Sequence, residues 1–231
     1  MTQIRHKRGP AKNQVIAKQD ITSAASKILH PETPHEQRLL EIVKAAAIVF
    51  RERGYDAGTL EDIAQHLDMT RPALYHYVRS KQEILILTVN YLLDLALTEM
   101  NELEQQPDPR ERLRALIVHL ITLIGRERNF FTVFFRDKAG IEEPYLSMIQ
   151  EKERAYAGAF RRAVRDAMAA GVLPTIPETL ATQAILGMCN WTYQWLNPHG
   201  ALPLEQAAHL MASFIIDSRP SDCSNSERQN T

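Results

Sequence analysis

The chain of 231 residues is short of cysteine, holding two. Cys189 lies inside an apolar helical pattern and Cys223 in a polar tail, a spacing that suits neither a disulfide framework nor a metal site, so reduced thiols in a cytoplasmic protein are the expectation. An excess of one charge is also missing: 27 Lys and Arg stand against 28 Asp and Glu, a formal net charge of −1. That balance excludes nucleic-acid binding through bulk positive charge and leaves local clusters of cations, doubled in a dimer, as the only route to DNA. Long hydrophobic runs are absent as well. The most apolar stretches, 84–97 and 113–124, are shorter than a membrane span and are broken by Asn90, Asp94, Arg114 and His119. No charged-then-apolar leader opens the sequence, so nothing is expected to direct the chain to a membrane.

Two further absences narrow the fold and the chemistry. No segment alternates apolar and polar residues as a half-buried strand would, which predicts an all-α protein. The sequence carries no G-x-S-x-G, Walker loop, H-E-x-x-H or dinucleotide glycine fingerprint, so no catalytic residue and no cofactor is assigned. His119 and the other histidines lack metal-ligand spacing, and His119 is expected to be a satisfied core residue.

What the chain has is helical periodicity. Residues 1–35 hold six cations (Arg5, Lys7, Arg8, Lys12, Lys18, Lys27) with prolines at 10, 31 and 34, and read as a basic, mostly disordered arm with a short helix near 21–29. From Arg38 to Gly54 the residues Leu39, Ile42, Val43, Ala46, Ala47, Val49 and Phe50 form an apolar stripe, which Gly54 would end in a left-handed conformation.

The stretch TLEDIAQHLDMTRPALYHYVRSK, residues 59–81, organises the rest. Thr59 is placed to cap a two-turn helix, with Asp62 returning a bond to the Thr59 backbone. Leu60, Ile63, Ala64 and Leu67 share its buried face. Residues 67–69 interrupt the pattern, and Thr70 caps a second helix whose first turn tolerates Pro72 because a proline there forfeits no intrahelical bond. Leu74, Tyr77 and Val78 face inward, while Arg71, Ala73, Tyr75 and His76 face out. A helix-turn-helix lays its second helix in the major groove while flanking groups hold phosphate, a role that suits Lys81.

With A-x-x-x-F-x-x-x-G-Y (Ala46, Phe50, Gly54, Tyr55), T-x-x-x-I-A (Thr59, Ile63, Ala64) and A-L-Y-H-Y-x-x-S-K (Ala73 to Tyr77, Ser80, Lys81), residues 38–85 resemble the DNA-binding domain of the TetR family of bacterial regulators. Val78 stands where that family usually has Phe, and Leu60 replaces a frequent hydroxyl residue. The resemblance implies an operator-binding homodimer with Arg38, Thr59, Thr70, Arg71, Ala73, Tyr75, His76 and Lys81 at the DNA. It also implies that the long periodic run after Lys81 is a connecting helix, moved by a ligand in the larger domain.

Beyond it, helices are predicted over 110–125, 129–138, 144–170, 178–196 and 204–217. Four phenylalanines within 130–135, together with Trp191 and Trp195 stacked at four-residue spacing beside Asn190, suggest an apolar cavity. Residues 130–217 resemble the TetR branch that responds to coenzyme A thioesters of fatty or sterol-derived acids. On that basis Phe130, Phe134, Tyr145, Asn190, Trp191 and Trp195 would hold the effector, and Arg162 and Arg165, from a run that includes Arg154 and Arg161, its phosphates. A multidrug or aromatic-compound sensor would use the same aromatics.

The expected organisation is a basic arm (1–35), a helix-turn-helix domain (36–82), an effector-binding and dimerisation bundle (83–218) and a tail (219–231). The last two helices carry the stripes Leu180, Ala184, Ile185, Met188 and Ala207, Leu210, Met211, Phe214, Ile215 for a dimer.

Overall fold

The computed structural model describes residues 27–217, which are helical and contain no strand. The head consists of α1 (Pro34–Arg53), α2 (Leu60–His66) and α3 (Arg71–Leu74). The body consists of α4 (Lys81–Leu103), α5 (Pro109–Arg126), α6 (Arg128–Asp137), α7 (Tyr145–Ala169), α8 (Glu178–Asn190), α9 (Thr192–Trp195) and α10 (Leu204–Asp217). Among these residues no helix is long and apolar enough to cross a membrane, and no group of three or more His, Cys, Asp or Glu is arranged to hold a metal.

Helix α1 starts four residues before its predicted start. Thr33 and Glu36 form a reciprocal capping box, Glu36 N–H donating to Thr33 Oγ1 at 3.2 Å and Thr33 N–H to Glu36 Oε2 at 3.0 Å, with Pro34 in the first turn. Before it, residues 27–29 are helical, within the short helix expected near 21–29, and Ile28 is fully buried in the core. The rest of the arm, residues 1–26, and the tail with Cys223 lie outside the described residues. Gly54 ends α1 at φ +84° and ψ 156°, a region open essentially to glycine and distinct from the left-handed helical conformation expected.

The body is built around α4, buried along most of its length. Its buried polar groups are satisfied: Thr88 Oγ1 donates to Ile84 O at 2.7 Å, Asn90 Nδ2 to Ile86 O at 3.1 Å, and Lys152 of α7 donates to Asn90 (3.0 Å) and Asp94 (2.5 Å). On the far side α5 packs closely on α10 through Gly125, where a Cβ would sit 2.4 Å from Leu204 Cδ1. The single helix expected over 178–196 is interrupted at Trp191, and the buried Thr192 hydroxyl donates to Cys189 O at 2.7 Å.

Candidate nucleic-acid interface and effector cavity

The head follows from its caps. Thr59 and Asp62 form the second capping box: Asp62 N–H donates to Thr59 Oγ1 (3.1 Å), and Asp62 Oδ2 accepts from Thr59 N–H (2.9 Å) and Oγ1 (2.7 Å). These bonds from Thr59, with Arg53 2.5 Å away, hold the Asp62 carboxyl below the usual range. The turn to α3 places Asp68 at φ +52°, a left-handed conformation that Asp tolerates better than most residues.

Thr70 Oγ1 accepts from Ala73 N–H at 3.4 Å and starts α3, whose regular part ends at Leu74. His76 and Tyr77 continue as tighter turns, their N–H groups bonding three residues back to Ala73 O (3.2 Å) and Leu74 O (3.0 Å). Leu74 and Val78 are buried, and the Tyr77 ring stacks on His35 of α1 at 4.9 Å. Arg71, Tyr75 and His76 are left exposed with Ala73 half-buried among them. Arg71 Nη2 donates to Tyr75 Oη at 3.2 Å, which orients the phenol and leaves its own proton for an outside acceptor.

Two cations assigned to DNA have partners within the head. Arg38 pairs with Glu41 (2.5 Å) and donates to Leu67 O (3.2 Å), bracing the turn between α2 and α3. Lys81 is the first residue of α4; its Nζ donates to Asp56 O (3.0 Å) and lies 4.5 Å from the Tyr55 ring centre.

In the body a cavity of about 190 Å³ opens between α4, α5, α6, α7 and α8. Leu92, Leu93 and Ala96 of α4 form one wall, and Phe131, Phe134 and Phe135 of α6 another. Its polar groups are Asn190, the ion pair of Lys138 with Glu153, and Tyr156. Lys138 Nζ also lies 4.4 Å from the Phe134 ring centre. The Tyr156 hydroxyl is buried without a hydrogen-bond partner among the described residues, and burial raises its pKa far above the ordinary value, so it remains a donor.

Of the residues assigned to the effector, the cavity brings together Phe134 and Asn190. Phe130 turns away and packs on Tyr91 at 5.0 Å, and Tyr145 is buried near the start of α7. Arg162 is bound to Glu104 (2.6 Å) and Arg165 to Asp166 (3.4 Å), both on the outer face of α7 and absent from the cavity lining. Trp191 and Trp195 do not stack. The break at Trp191 leaves them 62% and 55% exposed, with Trp191 edge-on to Tyr193 at 6.3 Å. Phe131 and Phe135 were missed, although Phe131, Phe134, Phe135 and Lys138 follow the i, i+3, i+4, i+7 spacing of one helix face.

His119 is not the satisfied core residue expected. Its Nε2 is buried with no hydrogen-bond partner among the described residues, and its Nδ1 lies 3.7 Å from Glu99. Cys189 is buried, which pushes its thiol up to about 12 and keeps it protonated and inert.

A capped helix-turn-helix joined through one long helix to a helical bundle with an apolar cavity defines a DNA-binding regulator. Residues 42–87 match the model of bacterial regulatory proteins of the tetR family, and residues 106–218 the model of the tetracyclin repressor-like C-terminal domain. The chain belongs to the TetR family of transcriptional regulators. It is 31% identical to a TetR/AcrR family regulator from Thermobifida fusca YX-ER1, covering 80% of this chain and 99% of that one, with a TM-score of 0.62. It is 28% identical to AibR, solved in complex with isovaleryl coenzyme A and operator DNA, covering 78% of this chain and 98% of that one, with a TM-score of 0.70. It is 25% identical to the HTH-type transcriptional regulator HbdR of Aromatoleum sp. (strain CIB), over 72% of each chain.

Proposed function

We propose that this protein is a cytoplasmic, homodimeric repressor that holds an inverted-repeat operator until the acyl group of a coenzyme A thioester enters its cavity. The observation that carries the reading is the position of the cavity. One wall is α4, the helix that begins beside the reading helix, and the other is α6, whose Arg136 donates to the Phe50 and Arg51 carbonyls at the end of α1. An occupant that moves either wall moves the head. Half-sites in successive turns lie roughly 34–36 Å apart, so a small change in head separation loses one groove.

Volume and relatedness narrow the effector. Drug-sized ligands fill sites of about 300–1,000 Å³, and the cavity, about 190 Å³, suits a short acyl group better than a sterol nucleus. The relative AibR was solved with such a thioester. The reading places Thr70, Arg71, Ala73, Tyr75 and His76 at the groove and Phe131, Phe134, Phe135, Tyr156 and Asn190 around the acyl group. Arg38, Thr59 and Lys81 then position the helices, and the two cations add positive charge near phosphate.

The test is a band-shift titration at fixed salt on an operator selected in vitro, with short acyl-CoAs, long acyl-CoAs, free acids and a drug panel. Short thioesters should release the DNA. Saturating operator should weaken thioester binding by the same factor, since the coupling is reciprocal. Release by drugs and by no thioester would replace this reading with a multidrug sensor.

A further inference from the structure

Three of the four arginines of α7 have acidic partners: Arg161 lies near Glu178 (3.6 Å), Arg162 is bound to Glu104 and Arg165 to Asp166. A second group of arginines is different. At the seam between head and body, Arg51 from the last turn of α1, Arg128 from the start of α6 and Arg136 from its end bound a cleft of about 420 Å³, with Thr132, Tyr193 and Gln194 completing its lining. Among the described residues no carboxylate lines it. Arg136 is held by Asp137, at 2.9 Å from Nε, and by the α1 carbonyls. The acceptors of the other two are neutral: Arg51 donates to Asn129 Oδ1 at 3.0 Å, and Arg128 to the carbonyls of Tyr193 and Gln194 at 3.1 Å each. A guanidinium has five N–H donors, so these bonds occupy one at Arg51 and two at Arg128. Three guanidiniums against one carboxylate leave a positive cleft with donors to spare.

The cleft also adjoins the apolar cavity. Tyr193, in its wall, packs tilted against Phe135 with ring centres 4.9 Å apart, and Phe135 lines the cavity. One aromatic pair separates the oily chamber from the cationic cleft, the arrangement an amphiphile with a phosphorylated end would occupy. We infer that the cleft of Arg51, Arg128 and Arg136 binds the phosphates of the effector while its acyl group lies in the cavity beyond Phe135. Arginine forks match phosphate oxygens in geometry and charge. Because Arg51 belongs to the head and Arg128 to the body, a phosphate shared between them acts across the seam. The site rests on the acyl-CoA reading for the identity of its ligand, and on geometry for its charge preference.

The test is calorimetric titration of the full chain with isovaleryl-CoA, isovalerate and inorganic pyrophosphate. Arg51→Gln should weaken isovaleryl-CoA and pyrophosphate by about tenfold or more and leave isovalerate unchanged, with Arg51→Lys recovering part of the loss. Arg128→Gln should act the same way; since Arg128 also holds α9, the Arg51 variants decide if it fails to fold. The double variant Arg162→Gln, Arg165→Gln should bind like the parent. Unchanged thioester affinity in Arg51→Gln, or an equal loss in the α7 double variant, would overturn the site while leaving the acyl-CoA reading intact. Arg51-dependent binding of pyrophosphate by a protein that ignores the thioester would uphold the site and remove the reading. Binding of neither anion by the parent would remove the site.

Discussion

Tyr75 shows how much a single exposed side chain decides. It contributes nothing to the core of the head, being 42% exposed, and its hydroxyl is oriented by Arg71 at 3.2 Å. Tyr75→Ala should therefore cost operator affinity by about 1–3 kcal/mol with helicity and melting temperature unchanged. Parallel band-shift and circular-dichroism measurements check this, and retained affinity would remove Tyr75 from the interface. Gly54 is the opposite case, a residue that touches no DNA in this reading yet holds the head together. Its φ of +84° and ψ of 156° lie where a Cβ is strained, while nothing within 4 Å would block the added atom. Gly54→Ala should cost about 1–3 kcal/mol of stability from backbone strain alone, read as a lower urea midpoint with an unchanged slope.

At the scale of the element, α5 carries a pH response. His119 sits on it with Nε2 buried and unpartnered; desolvation lowers its pKa below 6.5, against a smaller upward pull from Glu99. A base whose pKa is lower in the folded state binds fewer protons there than in the unfolded chain. Its contribution to stability is thus complete above pH 6.5 and is lost as the pH falls through the interval below it. The urea midpoint of the protein should drop between pH 7.5 and pH 5.5, and His119→Leu should flatten that part of the curve. A variant with the parent's full pH dependence would assign the effect to other groups. The charged neighbours of the same cleft are Glu99 on α4, Glu111 and Arg114 on α5, and Glu205 and His209 on α10. Helix α6 is the second element with a double role, since its Phe131, Phe134 and Phe135 face the cavity while Arg128, Thr132 and Arg136 face the cleft at the head.

For the whole molecule the informative surface is the apolar one. Leu180 and Met188 on α8, and Leu210 and Phe214 on α10, lie 40–69% exposed. Large side chains so exposed and clustered on two helices mark a partner-binding face, and in the proposed homodimer a second copy of the same face would close a two-fold interface. The double variant Leu210→Asp, Phe214→Glu should run as a monomer in light-scattering chromatography and lose its operator, because one head engages one half-site. A variant that stayed dimeric would move the interface elsewhere.

Periodicity and caps made the helical fold legible from composition onward. Thr59, Thr70 and the stripe Leu60, Ile63, Ala64 make the helices of the head legible because caps and hydrophobic spacing act over three or four residues along one helix. Helix α1 starts four residues before Arg38 because the capping box of Thr33 and Glu36 sets it there. The lining of the cavity is less legible, and for a physical reason. Aromatic content marks a region of the chain, but whether a ring faces a cavity, a neighbour or solvent depends on which helix lies opposite. Tertiary packing therefore sent Phe130 to Tyr91, exposed Trp191 and Trp195, and neutralised Arg162 with a glutamate 58 residues earlier in the chain. The cluster of Arg51, Arg128 and Arg136 has no sequence pattern at all. Local hydrogen bonding and hydrophobic spacing are written along the chain, whereas charge held in a cleft exists only after distant segments have met.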